Sequence, residues 1–343
     1  MPVLGLTSMG SSDGARVVGS ETLLTWNEIT SKTYGMNFKD LIESHPEIVL
    51  DRHSLSLSAQ SRPTEIADAF SRFGVVMLKD ALPPAVLERC AEAFRRFVQS
   101  LGTEQGMAAG EKRRPQRENT EAYAASWHSP WMVRHEDRFP AAVIMSAVIR
   151  SWIWDIVEEI CSSSHIAILL KWCTARHSVD QSLGVGAHQD AKVVAAEAPF
   201  SIWIPFHDIT PPANSGLGFV VPSPDRLLPT LPHDDVGPDY VLSDLAKLWI
   251  PHYAAGDLTI HSKFSPHFTT GYGTLSDRFS LEIRAMSRST APEKYLDPAM
   301  YVSRRNGIPT IVEVRGSPEL GVQGFFDSAD LSTATSKELR KVI

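Results

Sequence analysis

Residues 256–284 read GDLTIHSKFSPHFTTGYGTLSDRFSLEIR, and the last seven of them decide how the fold is built. In Arg278-Phe279-Ser280-Leu281-Glu282-Ile283-Arg284, the apolar Phe279, Leu281 and Ile283 alternate with Arg278, Ser280, Glu282 and Arg284. Successive side chains of a strand point to opposite faces, so this stretch is a strand with one apolar and one charged face. Upstream, the turn at Gly256-Asp257 leads into Leu258-Thr259-Ile260-His261, which reads as another strand. Working outward, strands separated by Gly, Pro and Asn are expected over 166–174, 200–206, 217–221, 257–260 and 279–285. A short apolar run at 73–78, FGVVML, suits one more buried strand.

Helices precede most of these strands. Pro83 and Pro84 open one whose face is Leu87, Cys90, Ala91, Phe94, Val98 and Leu101, with Gly102 as its stop. A second is expected over 142–160, with Asp155, Glu158 and Glu159 on its wet side. Helices followed by many short strands give a mainly β fold, a barrel or sandwich with helical support on one face.

The division that follows is an extension over 1–60 packing on the core, a main domain over 61–290, and a C-terminal extension over 291–343. Within the main domain, 224–251 is rich in proline and shows no strand pattern. It is expected to be a long inserted, lid-like loop with a short helix near 242–248. The basic run Lys112-Arg113-Arg114-Pro115-Gln116-Arg117, broken by proline, reads as a solvated loop.

The charge balance of 33 − 40 = −7 argues against a nucleic-acid-binding surface. Three cysteines (Cys90, Cys161 and Cys173) without close spacing exclude a disulfide scaffold and a cysteine-rich zinc site. With no signal-peptide pattern and no apolar run near the roughly 20 residues that span a bilayer, the expectation is a cytoplasmic protein without membrane partners. A homodimer is compatible with this reading.

A histidine and an acid two residues apart share one face of a strand, but chance alone gives about 12 × 40/343 = 1.4 such pairs. The chain has four, at His45, His135, His188 and His233, so context must separate them. Three lie in proline-containing or charged loops. His188-Gln189-Asp190 instead follows Leu183-Gly184-Val185-Gly186-Ala187 and precedes the strand at 200–206. Downstream, His261 and His267 each offer a second imidazole. Two histidines and a carboxylate on facing strands can hold a divalent metal on one side and leave its other positions open, as in non-haem Fe(II) oxygenases. On the polar face of the last strand, Arg278 and Ser280 place a guanidinium fork and a hydroxyl where they could clamp a carboxylate.

Taken in order, several pieces resemble the Fe(II)- and 2-oxoglutarate-dependent dioxygenases, in particular their phytanoyl-CoA dioxygenase-like branch. They are FGVVMLKDALPPAVLERC, AHQD, SIWIPFHDITPPANSGLGFVVPSPDR and GDLTIHSKFSPHFTTGYGTLSDRFSLEIR, together spanning residues 73 to 284. The resemblance implies a double-stranded β-helix (jelly-roll, cupin-like) core. It implies iron ligation by His188, Asp190 and His267; the branch places its distal histidine about ten residues beyond the Gly-Asp turn, which selects His267 over His261. Arg278 would hold the distal carboxylate of 2-oxoglutarate, with Ser280 adding a hydrogen bond. Trp203 either lines the cosubstrate pocket or is a plain core residue, and Lys171 or Arg176 could reach a carboxylate.

Two departures stand out. Pro222-Ser223-Pro224-Asp225-Arg226 replaces the branch's Gly-Ser-His turn, and Phe268-Thr269 replaces the Gly-Ser after its distal histidine. The implied cofactors are Fe(II), 2-oxoglutarate and O₂. The implied reaction is hydroxylation of an unactivated C–H bond of a small organic molecule, with desaturation, epoxidation or cyclisation as variants, in keeping with secondary-metabolite tailoring. An aspartate at position 190 implies no halogenation, since related halogenases carry a small residue there. A cupin-like metal enzyme without the cosubstrate, and a non-catalytic binding barrel, are the rival readings.

Overall fold

The structure, a computed structural model, describes residues 45–46, 54–88, 91–92, 125–128, 141–178, 186–194, 200–211, 213–230, 236, 238–270, 278–297 and 299–315. Most of the expected N-terminal extension, the basic run at 112–117 and the chain beyond 315 lie outside these residues.

Helix α1 (Pro63–Phe73) ends at Gly74, whose φ of 76° is the left-handed geometry that suits a residue without a side chain. Strand β2 (Val75–Leu78) starts at once, so Phe73 closes the helix rather than opening the strand expected over 73–78. The helix expected over 142–160 is two, α2 (Ala141–Ile149) and α3 (Ile153–Cys161). Ser151 makes the break: its hydroxyl donates to the Val148 carbonyl and accepts from the Ile153 amide, competing with the helix's own ladder. The helix expected after Pro84 is present at 84–88 and 91–92 among the described residues.

Two sheets face each other. In the larger, the order β1 (Ser56–Leu57), β2, β9 (Leu258–His261), β6 (Phe200–Pro205), β11 (Arg278–Ser287) runs to the long β11, which pairs with two strands in turn. Its first half pairs with β5 (Thr174–Ser178), which also holds β3 (Ala125–His128), and its second half with β4 (His165–Ile168). The single strand expected over 166–174 is therefore interrupted by a 3₁₀ turn at Leu170–Trp172. At the step, the Leu169 amide donates to the Arg284 carbonyl and the Arg284 amide to Cys173 Sγ, so one continuous partner serves both pieces. Beyond β4, β12 (Ala299–Arg305) and β13 (Ile308–Arg315) extend the same sheet, so the described part of the C-terminal extension is an integral hairpin.

The smaller sheet is β10 (His267–Thr269), β7 (Leu217–Val220) and β8 (Leu248–Trp249), with His188 bridged to His267 on its free side. From β5 to β11 the chain winds back and forth between the two sheets, with β7 and β8 paired within the small one, which is the winding of a double-stranded β-helix. Strand β8 lies inside the segment read as strandless. Around it, Val236, Val241, Leu248 and Ile250 pack with Ala187, Val220 and Phe268 on the outer face of the small sheet. These residues of 224–251 thus form wall behind the small sheet and the segment that carries His188.

The alternation read from residues 278–284 is realised. Phe279, Leu281 and Ile283 join Ile202, Ile204, Leu258 and Ile260 on the outer face of the large sheet, covered by Ile66 of α1 and Trp154, Ile156 and Val157 of α3. Each fully buried aliphatic side chain there contributes about 1.5–3 kcal/mol, enough to keep the helices on that face. The opposite face turns into the space between the sheets. In that space Val75, Met77, Trp203, Phe219, Trp249 and Tyr253 form an apolar cluster, with Trp203 against Arg278 and Phe219 against His261 and His267. Asp257 fixes the corner where β9 begins: its carboxylate accepts from the Asp80 and Ala254 amides and from Lys79 Nζ.

Candidate metal centre

His188 and His267 are neighbours through the backbone, each amide donating to the other's carbonyl at 3.0 Å. Their rings lie 4.2 Å apart between centroids. His188 Nδ1 donates to the Gly186 carbonyl (2.8 Å) and His267 Nδ1 to the Ser265 carbonyl (3.0 Å). A carbonyl can only accept, so both protons sit on Nδ1 and both Nε2 lone pairs are free, the tautomer a metal needs. Asp190, two residues on along the same face, brings Oδ1 to 3.9 Å from His188 Nε2. One donor atom from each of His188, Asp190 and His267 lies within 4.8 Å of the others, so the structure gathers the three residues expected as ligands.

Burial pushes the His188 imidazole below its ordinary pKa, against the pull of Asp190. His267 is pushed well below, by burial and then by His188 and His261 beside it. For Asp190 burial acts the other way, but Arg284, His261 and His267 together hold its carboxyl well below the usual carboxylate range. At neutral pH the site is therefore two neutral imidazoles and one carboxylate, a set that needs no deprotonation to bind a divalent ion and that fits iron(II).

Arg278 is 1% exposed on the same inner wall, and Ser280, also buried, shares its face. Its Nη1 donates to Ser215 Oγ at 3.2 Å and lies 3.4 Å from the Ser215 and Gly216 carbonyls, which fixes the guanidinium in place. Burial and then Arg176 push its pKa down to about 9, so it is a cation at neutral pH that carries a desolvation cost. Trp203 stands 5.7 Å from this guanidinium and stacks edge-on against Tyr253 at 5.1 Å, so it is both core and pocket wall. The Tyr253 and Thr259 hydroxyls are buried against each other and neither makes a well-aligned hydrogen bond. A buried cation beside two unsatisfied hydroxyls is a setting that a ligand carboxylate would satisfy. Lys171 falls in the 3₁₀ turn at Leu170–Trp172, and its side chain lies outside the described residues.

His261 is 1% exposed and sits beside the triad rather than in it, its Nε2 3.6 Å from Asp190 Oδ2. Arg284 is committed to Asp190: Nη2 donates to Asp190 Oδ1 and Nη1 lies against Oδ2, each at 2.9 Å. Ser201 Oγ donates to Asp190 Oδ2 at 2.8 Å. The strand alternation puts Arg284 and Glu282 on one charged face and offers His261 only as an alternative imidazole. Only the cross-strand register, Arg284 opposite Ser201 and Ser201 opposite His261, reveals that they converge on Asp190.

No family model matches the chain, and no curated protein matches it by sequence. Solved structures do match in shape. The non-heme monooxygenase ThoJ superposes with a TM-score of 0.51 at 18% identity, covering 80% of this chain and 98% of that one. The non-heme alpha ketoglutarate dependent carbocyclase SnoK from nogalamycin biosynthesis gives 0.50 at 15%, covering 74% and 95%. EctD from S. alaskensis gives 0.50 at 15%, covering 79% and 94%. At these identities the likeness establishes a shared fold, and the winding of strands between the two sheets agrees with it.

Proposed function

We propose that this chain is a non-haem Fe(II)- and 2-oxoglutarate-dependent dioxygenase acting on an unactivated C–H bond of a small organic molecule. The observation that carries the reading is the convergence of one donor atom from each of His188, Asp190 and His267 within 4.8 Å, with both imidazole tautomers set by backbone carbonyls. In it, His188, Asp190 and His267 hold the iron, Arg278 and Ser280 hold the distal carboxylate of 2-oxoglutarate, and the Tyr253 and Thr259 hydroxyls complete that pocket. Trp203 closes its side. Bound iron and cosubstrate supply the oxidising power for O₂-dependent attack on the substrate. The chain's own part is to orient both, keep the imidazoles neutral and exclude water from the cosubstrate carboxylate.

Hydroxylation is the primary reaction in this reading. Desaturation, epoxidation and cyclisation need the same site, and the last is in keeping with the carbocyclase among the structural neighbours. That neighbour's role in nogalamycin biosynthesis also supports a place in natural-product tailoring, with membership of the phytanoyl-CoA dioxygenase-like branch resting on the motifs quoted above. The partner is a small molecule. Neither nucleic acid nor membrane is invoked, given the net charge of −7 and the lack, among the described residues, of any helix long and apolar enough to cross a bilayer.

The test is anaerobic loading with Fe(II), then oxygen uptake and succinate release from 2-oxoglutarate, with and without candidate substrates. Succinate formed in step with oxygen consumption supports the reading. Oxygen uptake that ignores 2-oxoglutarate would favour a cosubstrate-free cupin-like enzyme, and no uptake with any substrate a binding barrel.

A further inference from the structure

Asp190 belongs to two donor sets, and only one of them faces the centre described above. Its Oδ1 turns toward His188, while its Oδ2 turns toward His261. Asp190, His261 and Glu282 form a second group whose donor atoms all lie within 4.8 Å of one another. His261 is the telling member: it is 1% exposed, and neither ring nitrogen has a hydrogen-bond partner among the described residues. A buried imidazole normally ties down at least one nitrogen, as His188 and His267 do. The arrangement of one carboxylate offering an oxygen to each of two adjacent pockets is that of metal pairs held roughly 3.5–4 Å apart.

The second pocket already holds a cation, and it is a side chain. Arg284 Nη2 lies 2.8 Å from Glu282 Oε1 and 2.9 Å from Asp190 Oδ1, with Nη1 2.9 Å from Asp190 Oδ2. The guanidinium thus sits across both carboxylates of the pocket, where a divalent ion would otherwise sit. It is itself nearly buried, its side chain 10% exposed, so its charge is not dissipated by water. Two buried carboxylates without a cation would be costly, and Arg284 offsets that cost without metal.

We propose that Arg284 is a built-in cation occupying a second divalent-metal pocket formed by Asp190, His261 and Glu282, and that it limits the protein to one metal ion. The same contacts make it a positioning residue for the first centre: Arg284 lies against both oxygens of Asp190 and Ser201 Oγ donates to Oδ2, which together fix the plane of the carboxylate and keep Oδ1 on the His188 side. The proposal rests on the metal-centre reading for the first site but not for the second.

The experiment titrates metal-stripped protein with Mn(II) and with Co(II), following calorimetry and the metal content of the dialysed protein. Wild type is expected to bind one ion, Arg284→Met two, and Arg284→Lys one, because lysine restores a charge on a stem of similar reach. Adding Glu282→Gln to Arg284→Met should return the count to one. A folded Arg284→Met protein that binds one ion when wild type binds one, or a wild type that binds two, overturns the proposal. If Arg284→Met does not fold by itself, refolding in excess Mn(II) should rescue it, since the ion supplies the missing charge; failure of that rescue also overturns it. A wild type that binds no ion while Arg284→Met binds one would instead defeat the first-site reading and uphold this one.

Discussion

Replacing Arg278 by methionine keeps an unbranched apolar stem and removes the guanidinium and its charge. The guanidinium is 1% exposed and held by Ser215 and Gly216, so in the proposed complex it meets a ligand carboxylate in a site closed to water, with little side-chain freedom left to lose. Truncating one partner of such a buried, hydrogen-bonded charge pair costs about 2–5 kcal/mol. Taking about 3 kcal/mol and 1.4 kcal/mol per factor of ten, the 2-oxoglutarate Kd should rise by about two orders of magnitude. Lysine restores a point charge without the fork and should recover only part of that, leaving a Kd about tenfold above wild type. The contacts of Arg278 named above include none of His188, Asp190 and His267, so Fe(II) affinity should stay within about twofold in both variants. Anaerobic calorimetry gives the two affinities separately, first for Fe(II) and then for 2-oxoglutarate on the Fe(II)-loaded protein. If Arg278→Met bound 2-oxoglutarate as wild type does, the carboxylate site would lie elsewhere and the role given to Arg278 would be wrong. If it lost iron as well, Arg278 would be structural support for the centre.

Four further outcomes are expected. His188→Ala and His267→Ala should each weaken Fe(II) binding at least 10–100-fold, while His261→Ala should not; the reverse pattern in a calorimetric titration would move the distal ligand to His261. The metal-free protein should lose stability as pH falls below about 6.5, because the unfolded chain then takes up protons that the depressed pKa values of His188 and His267 deny to the fold. Asp190, whose pKa is also depressed, adds its own loss only below about pH 3.9, so a thermal midpoint that stays flat from pH 7 to 5 would contradict the histidine assignment. Gly256→Ala should lower Tm by about 4 °C or more, since φ is 109° there and a Cβ would come 2.5 Å from the Leu82 carbonyl; an unchanged melting curve would mean this turn relaxes freely. Reaction with the true substrate in high chloride or bromide should yield no halogenated product, because Asp190 fills the coordination position a halide would need, and mass spectrometry of the products decides it.

The site was legible to the extent that its residues obey a period of two. Arg278 with Ser280 sits on one face of its strand because alternation puts it there, and the apolar Phe279 between them advertises the strand; His188 and Asp190 lie at an isolated bridge and the turn after it, where spacing alone marks the pair. Ser151 shows where this reasoning stops. The apolar pattern over 142–160 runs on through it, yet a local side-chain bond ends one helix and begins another. The strand inside 224–251 escapes the sequence for a related reason. The segment's prolines suggest a loop, while β8 contributes only two residues, too few to show any alternation. The Arg284, Ser201, His261 and Asp190 assembly was beyond reach, since it draws on four parts of the chain whose meeting is fixed by strand register alone.

Gln189, between two of the proposed ligands, has a role that the same alternation forces on it. Pointing away from the metal side, its fully buried amide donates to the Arg226 and Phe264 carbonyls and accepts from the Leu228 amide. One residue thus rivets the backbone of the His-x-Asp strand to the chain just before β10 and to the start of the segment behind the small sheet. The distance between His188 and His267 is consequently gauged from the rear of the wall as well as from the front. A shift of the backbone at 226 or 228 would travel through a single amide to the spacing of the two imidazoles. The outer segment is in this way tethered to the geometry of the candidate centre, and a change in its backbone path would register first in how the two rings face each other.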